Sequence, residues 1–175
     1  MNGYSTQRIN KYILLIDSMQ YKNRHRLKDK EVEKYAEQFE TKLGDSPFQL
    51  GDGVDIADTE SGKVLIVDNE PVATFFDDEM FLTIKGLLKI EPTRSYVTVD
   101  MGAVKFVYNG ADIMAPGIVD ADEDIEEGQL VYIRDVEHKK PLAVGRAMTD
   151  AEEMLESDRG KVIKSLHHVG DGDYS

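Results

Sequence analysis

The sequence predicts an α+β fold in two parts, an N-terminal α/β domain over residues 1–94 and a small β-barrel over residues 95–175. Three observations carry this reading. The first half holds one amphipathic helical stretch beside a hairpin signal; Glu91-Pro92-Thr93-Arg94 then interrupts the pattern; and short strand-like runs follow at regular spacing with few helices between them. Proline disfavours helix at the residue before it, so the expected boundary falls near Pro92 to Ser95.

Composition sets the limits of function. The chain has 175 residues, 41% of them hydrophobic, which is enough to bury a real core. Its formal net charge of -13 argues against broad attraction to a phosphate backbone, so any nucleic-acid contact is local. There is no Cys, which removes disulfides, Cys-ligated zinc and thiol catalysis. The apolar run Tyr12–Ile16 is too short for a membrane span and closes on Asp17, so a cytoplasmic protein with no membrane partner is expected.

Taken in order, Val32, Tyr35, Ala36, Phe39 and Leu43 recur at spacings of three and four, and Gly44 stands where a helix would end. Lys22, Arg24, Arg26, Lys28 and Lys30 precede and open this helix as a basic stretch opposed only by Asp29. It reads as a solvated helix start or as an electrostatic contact with RNA or a partner. Lys63–Val67 and Pro71–Phe76 are β-prone runs joined by Asp68-Asn69-Glu70, a hairpin. Phe81, Leu82, Ile84, Leu87 and Leu88 suggest a short helix that Gly86 weakens.

Beyond Pro92 the expected elements are a strand at Tyr96–Val99, a helix from Met101 to Asn109, strands at Gly117–Val119, Gln129–Arg134 and Leu142–Arg146, a polar helix Asp150–Ser157 and a last strand at Leu166–Val169. In the first helix, Ala103, Phe106, Val107 and Gly110 share one face while Lys105 projects from another. Asp100 is a plausible N-cap, and Asn109-Gly110 suits an end that needs a left-handed residue. Gly110-Ala-Asp-Ile-Met-Ala-Pro-Gly117 then brings small residues and a fixed proline into the next strand, which would let another molecule approach the backbone closely.

Val99-Asp-Met-Gly-Ala-Val-Lys-Phe-Val107 followed by Asn109-Gly-Ala-Asp-Ile-Met-Ala-Pro-Gly117 resembles the start of a PUA domain, the RNA-binding module of pseudouridine synthases and archaeosine transglycosylases. Glu127-Gly-Gln-Leu-Val-Tyr-Ile133, Pro141-Leu-Ala-Val-Gly145 and Gly160-Lys-Val162 continue the pattern in order, so the resemblance covers Ser95 to about Asp171. Lys105-Phe-Val107 with Ala111-Asp-Ile-Met-Ala-Pro-Gly117 is similar to the malignant T-cell amplified sequence family and its archaeal relatives. Over residues 1–94 the likeness rests on layout and on Phe81-Leu-Thr-Ile-Lys-Gly-Leu-Leu-Lys-Ile-Glu-Pro92.

The resemblance implies a PUA-type pseudo β-barrel at residues 95–175 that grips RNA between its first helix, the loop after it and nearby strands. It implies a tRNA acceptor end or small-subunit ribosomal RNA as partner, with the small ribosomal subunit and a protein partner, in initiation, re-initiation or recycling. Carried over by position, the RNA-binding candidates are Lys105, Gly110, Ala111, Pro116 and Gly117. Arg146, Lys161 and His167 join them because they lie at the ends of later strands, where they could face phosphate. Asp120-Ala-Asp-Glu-Asp-Ile-Glu-Glu127 would weaken phosphate binding if it faced the same way; otherwise it is a solvated edge loop.

No catalytic residue, metal site or cofactor is expected. Asp120, Asp122 and Asp124 are spaced like a calcium loop, but Ile125 occupies the place of the required glycine. Gly51-Asp-Gly53 lacks the third glycine of a dinucleotide site. His167 and His168 would point to opposite faces of a strand, one packed and one exposed. The competing readings are an accessory RNA-binding subunit of an RNA-modification enzyme and a protein-interaction module without RNA binding.

Overall fold

The computed structural model describes residues 21–169, so the run Tyr12–Ile16 lies outside the described residues. The first sheet has five strands in the order β1-β2-β3-β4-β5, all antiparallel. They are β1 (Lys22–Arg26), β2 (Asp55–Thr59), β3 (Gly62–Val67), β4 (Glu70–Phe76) and β5 (Glu79–Leu82). Asp68 and Asn69 both take positive φ, 51° and 62°, the geometry of a two-residue type I′ turn whose twist matches the strands it joins. Helix α1 (Asp29–Leu43) buries Val32, Ala36, Phe39 and Leu43, as their spacing predicts. It ends at Gly44, whose φ of 84° lets its N–H donate to the Glu40 carbonyl at 2.8 Å.

Two local expectations are corrected. Lys22–Arg26 is an exposed edge strand, not a helix start. In a strand, alternate residues share a face, so Arg24 and Arg26 converge on Asp55 across the ladder, with Nε–O distances of 2.8 and 2.6 Å. The Arg26 hydrogen bond, helped by Arg24, holds the Asp55 carboxyl below its ordinary range against the opposing effect of burial. Phe81 and Leu82 belong to β5, and the helix after them, α2 (Ile84–Leu87), is a single turn capped by Thr83, whose Oγ1 accepts from Gly86 N–H at 3.1 Å. Gly86 is there for room: a Cβ would lie 2.0 Å from the Val72 carbonyl oxygen.

The second sheet has six strands in the order β7-β11-β10-β9-β6-β8. Its elements are β6 (Tyr96–Val99), α3 (Met101–Tyr108), β7 (Ile113–Met114), a 3₁₀ turn (Ala115–Gly117), β8 (Ile118–Ala121), β9 (Leu130–Asp135), β10 (Pro141–Ala147), α4 (Ala151–Glu156) and β11 (Lys161–His168). Only β6 and β9 run parallel. Because β7 and β8 are the two edges and the 3₁₀ turn joins them directly, the sheet curls back on itself as a pseudobarrel. Val97, Val99, Ile113, Val131, Ile133, Ala143 and Ile163 fill its interior.

The run Leu130-Val-Tyr-Ile133 is apolar throughout because β9 is buried on both faces. Val131 and Ile133 point into the barrel, whereas Leu130 and Tyr132, with Val144 of β10, join the core built by α1 and the first sheet. Burial of Leu130 and of Val144 stabilises this junction by about 1.5–3 kcal/mol each. Polar groups complete it: Ser95 Oγ donates to the Lys42 carbonyl at 2.7 Å, and Thr93 N–H to the Leu43 carbonyl at 2.8 Å.

Candidate functional site

Helix α3 is fixed at both ends. Asp100 caps its start, accepting from Ala103 N–H at 2.9 Å, and its own N–H donates to the Gly117 carbonyl at 2.9 Å, tying the helix to the 3₁₀ turn. Gly110 ends it at φ 88°, a conformation that favours glycine, and a Cβ there would lie 2.8 Å from His168 Nε2 and displace that ring. The chain from Ala111 onward is then stapled to β11. The Asp112 carboxylate accepts from Ser165 N–H and from Lys161 Nζ, each at 2.8 Å, and Ala115 N–H donates to the Gly160 carbonyl at 2.9 Å.

Between α3 and this stapled loop lies a groove of about 670 Å³. Ala103, Val107 and Ile113 form its floor, Pro116-Gly117 closes one side, and Phe106, Met114 and Lys161 stand along it. Phe106 and Met114 are 58% and 49% exposed. The helical pattern groups Phe106 with the buried residues, but α3 is short and turns only Val107 fully inward, leaving Phe106 as a wall. Gly117 packs tightly against the helix, its virtual Cβ 3.1 Å from Ala103 Cβ.

Charge at the groove is mixed. Lys161 is half exposed and paired with Asp112, while Lys105 lies on the neighbouring face of α3 with Nζ 5.0 Å from the Phe106 ring centroid. The Lys161 hydrogen bond and the Ser165 N–H hold the Asp112 carboxyl below its ordinary range, and Lys164 adds to this. Lys164 is a cation the sequence reading passes over; only strand register places it near Asp112.

Thus the structure gathers Ala111, Pro116, Gly117 and Lys161 at one groove, with Gly110 and Lys105 beside it. The other candidates lie elsewhere. Arg146 is turned toward the first sheet: Nη1 donates to the Gly128 carbonyl at 2.7 Å and Nη2 to the Phe76 carbonyl at 3.3 Å, with Asp77 and Glu79 as ion-pair partners at 3.2 and 3.4 Å. His167 is 1% exposed, and its Nε2 accepts Ile84 N–H at 3.2 Å, so it faces the sheet junction rather than solvent. His168 sits on the opposite side, its Nδ1 2.9 Å from the Tyr108 carbonyl oxygen. Lys22, Arg24, Arg26, Lys28 and Lys30 belong to the first sheet and the start of α1.

Most of the segment Asp120 to Glu127 is separated from the groove, with Asp120 opposite Thr98 midway along β8. Ile118 pairs with Val99 at the groove end of the barrel, whereas Ala121 pairs with Val97, so Asp122 to Glu127 emerge about 10 Å away, at the far end of β8. There Asp122 accepts from Ser95 N–H at 2.6 Å, and Ile125 is buried as an anchor. Among the described residues no cluster of His, Asp and Glu is placed to hold a metal ion, and no helix is long and apolar enough to cross a membrane.

A pseudobarrel in which a capped helix and a glycine-proline loop enclose such a groove defines a PUA domain. The PUA domain model matches residues 95–169, and the model described as Domain of unknown function (DUF1947) matches residues 23–90. An uncharacterized protein of Methanocaldococcus jannaschii is 45% identical over 155 residues, covering 87% of this chain and 96% of that one. A conserved PUA domain protein from Thermoplasma acidophilum superposes with a TM-score of 0.76 at 30% identity, covering 85% of this chain and 95% of that one.

Translation machinery-associated protein 20 of Saccharomyces cerevisiae is 35% identical over 117 residues, 62% of this chain and 65% of the yeast protein. Malignant T-cell-amplified sequence 1 of Rattus norvegicus is 32% identical over 116 residues, 63% of each. The chain therefore spans a little under two thirds of the length of these eukaryotic relatives. It belongs to the family of PUA-domain proteins that includes the Methanocaldococcus jannaschii and Thermoplasma acidophilum chains, and it is similar to the translation machinery-associated and malignant T-cell-amplified sequence proteins.

Proposed function

We propose that this protein is an RNA-binding factor of the translation machinery that holds a structured RNA end, of tRNA or small-subunit ribosomal RNA, in the groove between α3 and the 110–117 loop. It serves initiation, re-initiation or recycling in the cytoplasm, without catalysis of its own. The barrel of residues 95–175 carries the RNA, and the domain of residues 1–94 meets the small subunit or a protein partner. The observation that carries this reading is the groove itself: small residues and apolar walls, with Lys161 along it, Lys105 on the adjoining face of α3 and the acidic loop at the other end of β8. The names of the fungal relatives support the assignment to translation.

The chemistry follows from these parts. Phe106 and Met114 offer exposed apolar surface against which a terminal base or ribose can lie, and the lysines meet neighbouring phosphates. With few cations available, affinity is modest and falls with salt by a shallow slope, about one unit or less per phosphate contacted.

The test is fluorescence anisotropy with a tRNA acceptor-end minihelix across a salt series. Lys105→Glu and Lys161→Glu weaken binding, and Asp112→Asn, which frees Lys161 while keeping an acceptor for Ser165 N–H, tightens it. Binding unchanged by all three substitutions would falsify the assignment of this groove. Affinity capture from native cells that returned an RNA-modification enzyme in place of ribosomal subunits would overturn the assignment to translation.

A further inference from the structure

A second concave surface lies where the two sheets meet, away from the α3 groove. It is a cleft of about 530 Å³, within the range of roughly 300 to 1,000 Å³ common to sites that take small ligands or anchoring side chains. Its floor is aliphatic: Leu88, Ile90 and Pro92 follow α2, and Leu88 is 55% exposed, an uncommon state for leucine beside so much apolar surface. Its rim is cationic, formed by Arg134 of β9 with Lys139 and Lys140 of the β9–β10 turn.

These cations are not consumed by the fold. Arg134 stacks 3.9 Å over the Tyr96 ring centroid and donates from Nε to Thr98 Oγ1 at 3.0 Å, contacts with uncharged groups. Neither Lys139 nor Lys140 meets a carboxylate among the described residues. Among the described residues Glu91 is the one acid on the cleft wall. Asp135 and Glu137 stand in the same stretch, so the rim holds no net excess of charge; what distinguishes it is that Arg134, Lys139 and Lys140 keep their cationic heads out of side-chain ion pairs among the described residues, where an acidic partner can meet them.

The rim is also held in place. Asp135 is buried, and its carboxylate accepts from His138 N–H at 2.6 Å and Lys140 N–H at 3.1 Å. Lys139 takes a left-handed φ of 55° to close the turn. Two lysines on a braced turn lose less freedom on meeting a partner than lysines on a loose loop.

We propose that this cleft docks an acidic, leucine-containing peptide segment of a protein partner. The aliphatic anchor enters the floor beside Leu88, and flanking Asp or Glu side chains pair with Arg134, Lys139 and Lys140. Nucleic acid fits less well: among the described residues no exposed Phe, Tyr or Trp lines the cleft, since Tyr132 is 1% exposed, and an aliphatic floor offers no stacking platform for bases. Apolar anchors framed by complementary charge are the usual makings of peptide recognition. The inference stands apart from the RNA reading, because the two surfaces share no residue.

The experiment uses the full chain and a labelled synthetic peptide, Asp-Leu-Glu-Glu-Leu-Leu-Asp, in fluorescence anisotropy at moderate salt, with the tRNA minihelix measured in parallel. The native chain binds the peptide. The double variant K139E/K140E and the separate variant L88D, all at exposed positions, each weaken peptide binding by about tenfold or more and leave minihelix binding in place. Replacing the peptide leucines by serine removes binding, while K105E lowers minihelix binding alone. Absence of peptide binding by the native chain, equal binding of the serine peptide, or indifference of peptide binding to the cleft variants overturns the proposal. So does loss of minihelix binding in L88D, which would give the cleft to RNA.

Discussion

Replacing Arg146 by Met separates the two roles open to this residue. Methionine keeps an apolar stem of similar reach and removes only the guanidinium. Two bonds from the charged group to backbone carbonyls disappear, one at 2.7 Å to Gly128 and one at 3.3 Å to Phe76. The ion pairs to Asp77 and Glu79 add little, because those side chains are 77% and 40% exposed. Hydrogen bonds from a charged donor are worth about 1.5–3 kcal/mol when well made, so with the longer bond discounted the total loss comes to about 2–3 kcal/mol. For a chain of this size that lowers the melting temperature by about 5–10 °C. Thermal unfolding followed by circular dichroism reads the shift, and anisotropy with the minihelix, well below the transition, reads RNA binding. The expected result is a lower melting temperature with RNA affinity retained. An unchanged melting temperature with weakened RNA binding refutes this account and returns Arg146 to the phosphate-facing role its place on β10 suggests.

At Gly110, alanine costs about 1–2 kcal/mol for the left-handed conformation and presses its Cβ toward His168. Adding His168→Ala recovers the steric part but not the conformational part, which a double-mutant cycle by chemical denaturation measures. Asp135→Asn destabilises the β9–β10 turn, and the effect depends on pH. Burial opposes the charge of Asp135, but the N–H donors of His138 and Lys140 prevail, so its carboxyl titrates below the ordinary value near 3.9. A depressed folded-state value means that the native carboxylate stabilises the fold above pH 4 and loses that contribution as pH falls through it. The stability gap between native chain and variant is therefore full at pH 7 and shrinks below about pH 4 in denaturant titrations.

What the sequence makes legible follows the reach of each interaction. The Asp100 cap, the left-handed ends at Gly44 and Gly110, and the turn at Asp68-Asn69 depend on residues within a few positions of one another, and local chemistry identifies them. The same holds for the loop from Gly110 to Gly117, whose order of residues carries the family resemblance. By contrast, Lys22–Arg26 is a strand because Asp55 and β2 lie opposite it, a partner that helical spacing downstream obscures. Its alternate cations, Lys22, Arg24 and Arg26, are the period-two signal that could have shown this. Arg146 and His167 occupy strand ends where phosphate contact is reasonable. Only the docking of β10 and β11 against Phe76 to Ile84 reveals that both are engaged within the protein.

The distance between the acidic segment and the α3 groove also bears on how encounters begin. A molecule this negative is pushed away from polyanions as a whole, yet the repulsion is uneven, strongest where Asp122 to Glu127 leave β8 and weaker at the α3 groove, where Lys161 and Lys105 stand. On the proposed reading, an approaching RNA meets uneven repulsion that favours arrival at the α3 groove over collisions on the acidic side. On that reading, the charge that makes nonspecific capture poor also works as an orienting vane, raising the share of arrivals that reach the groove.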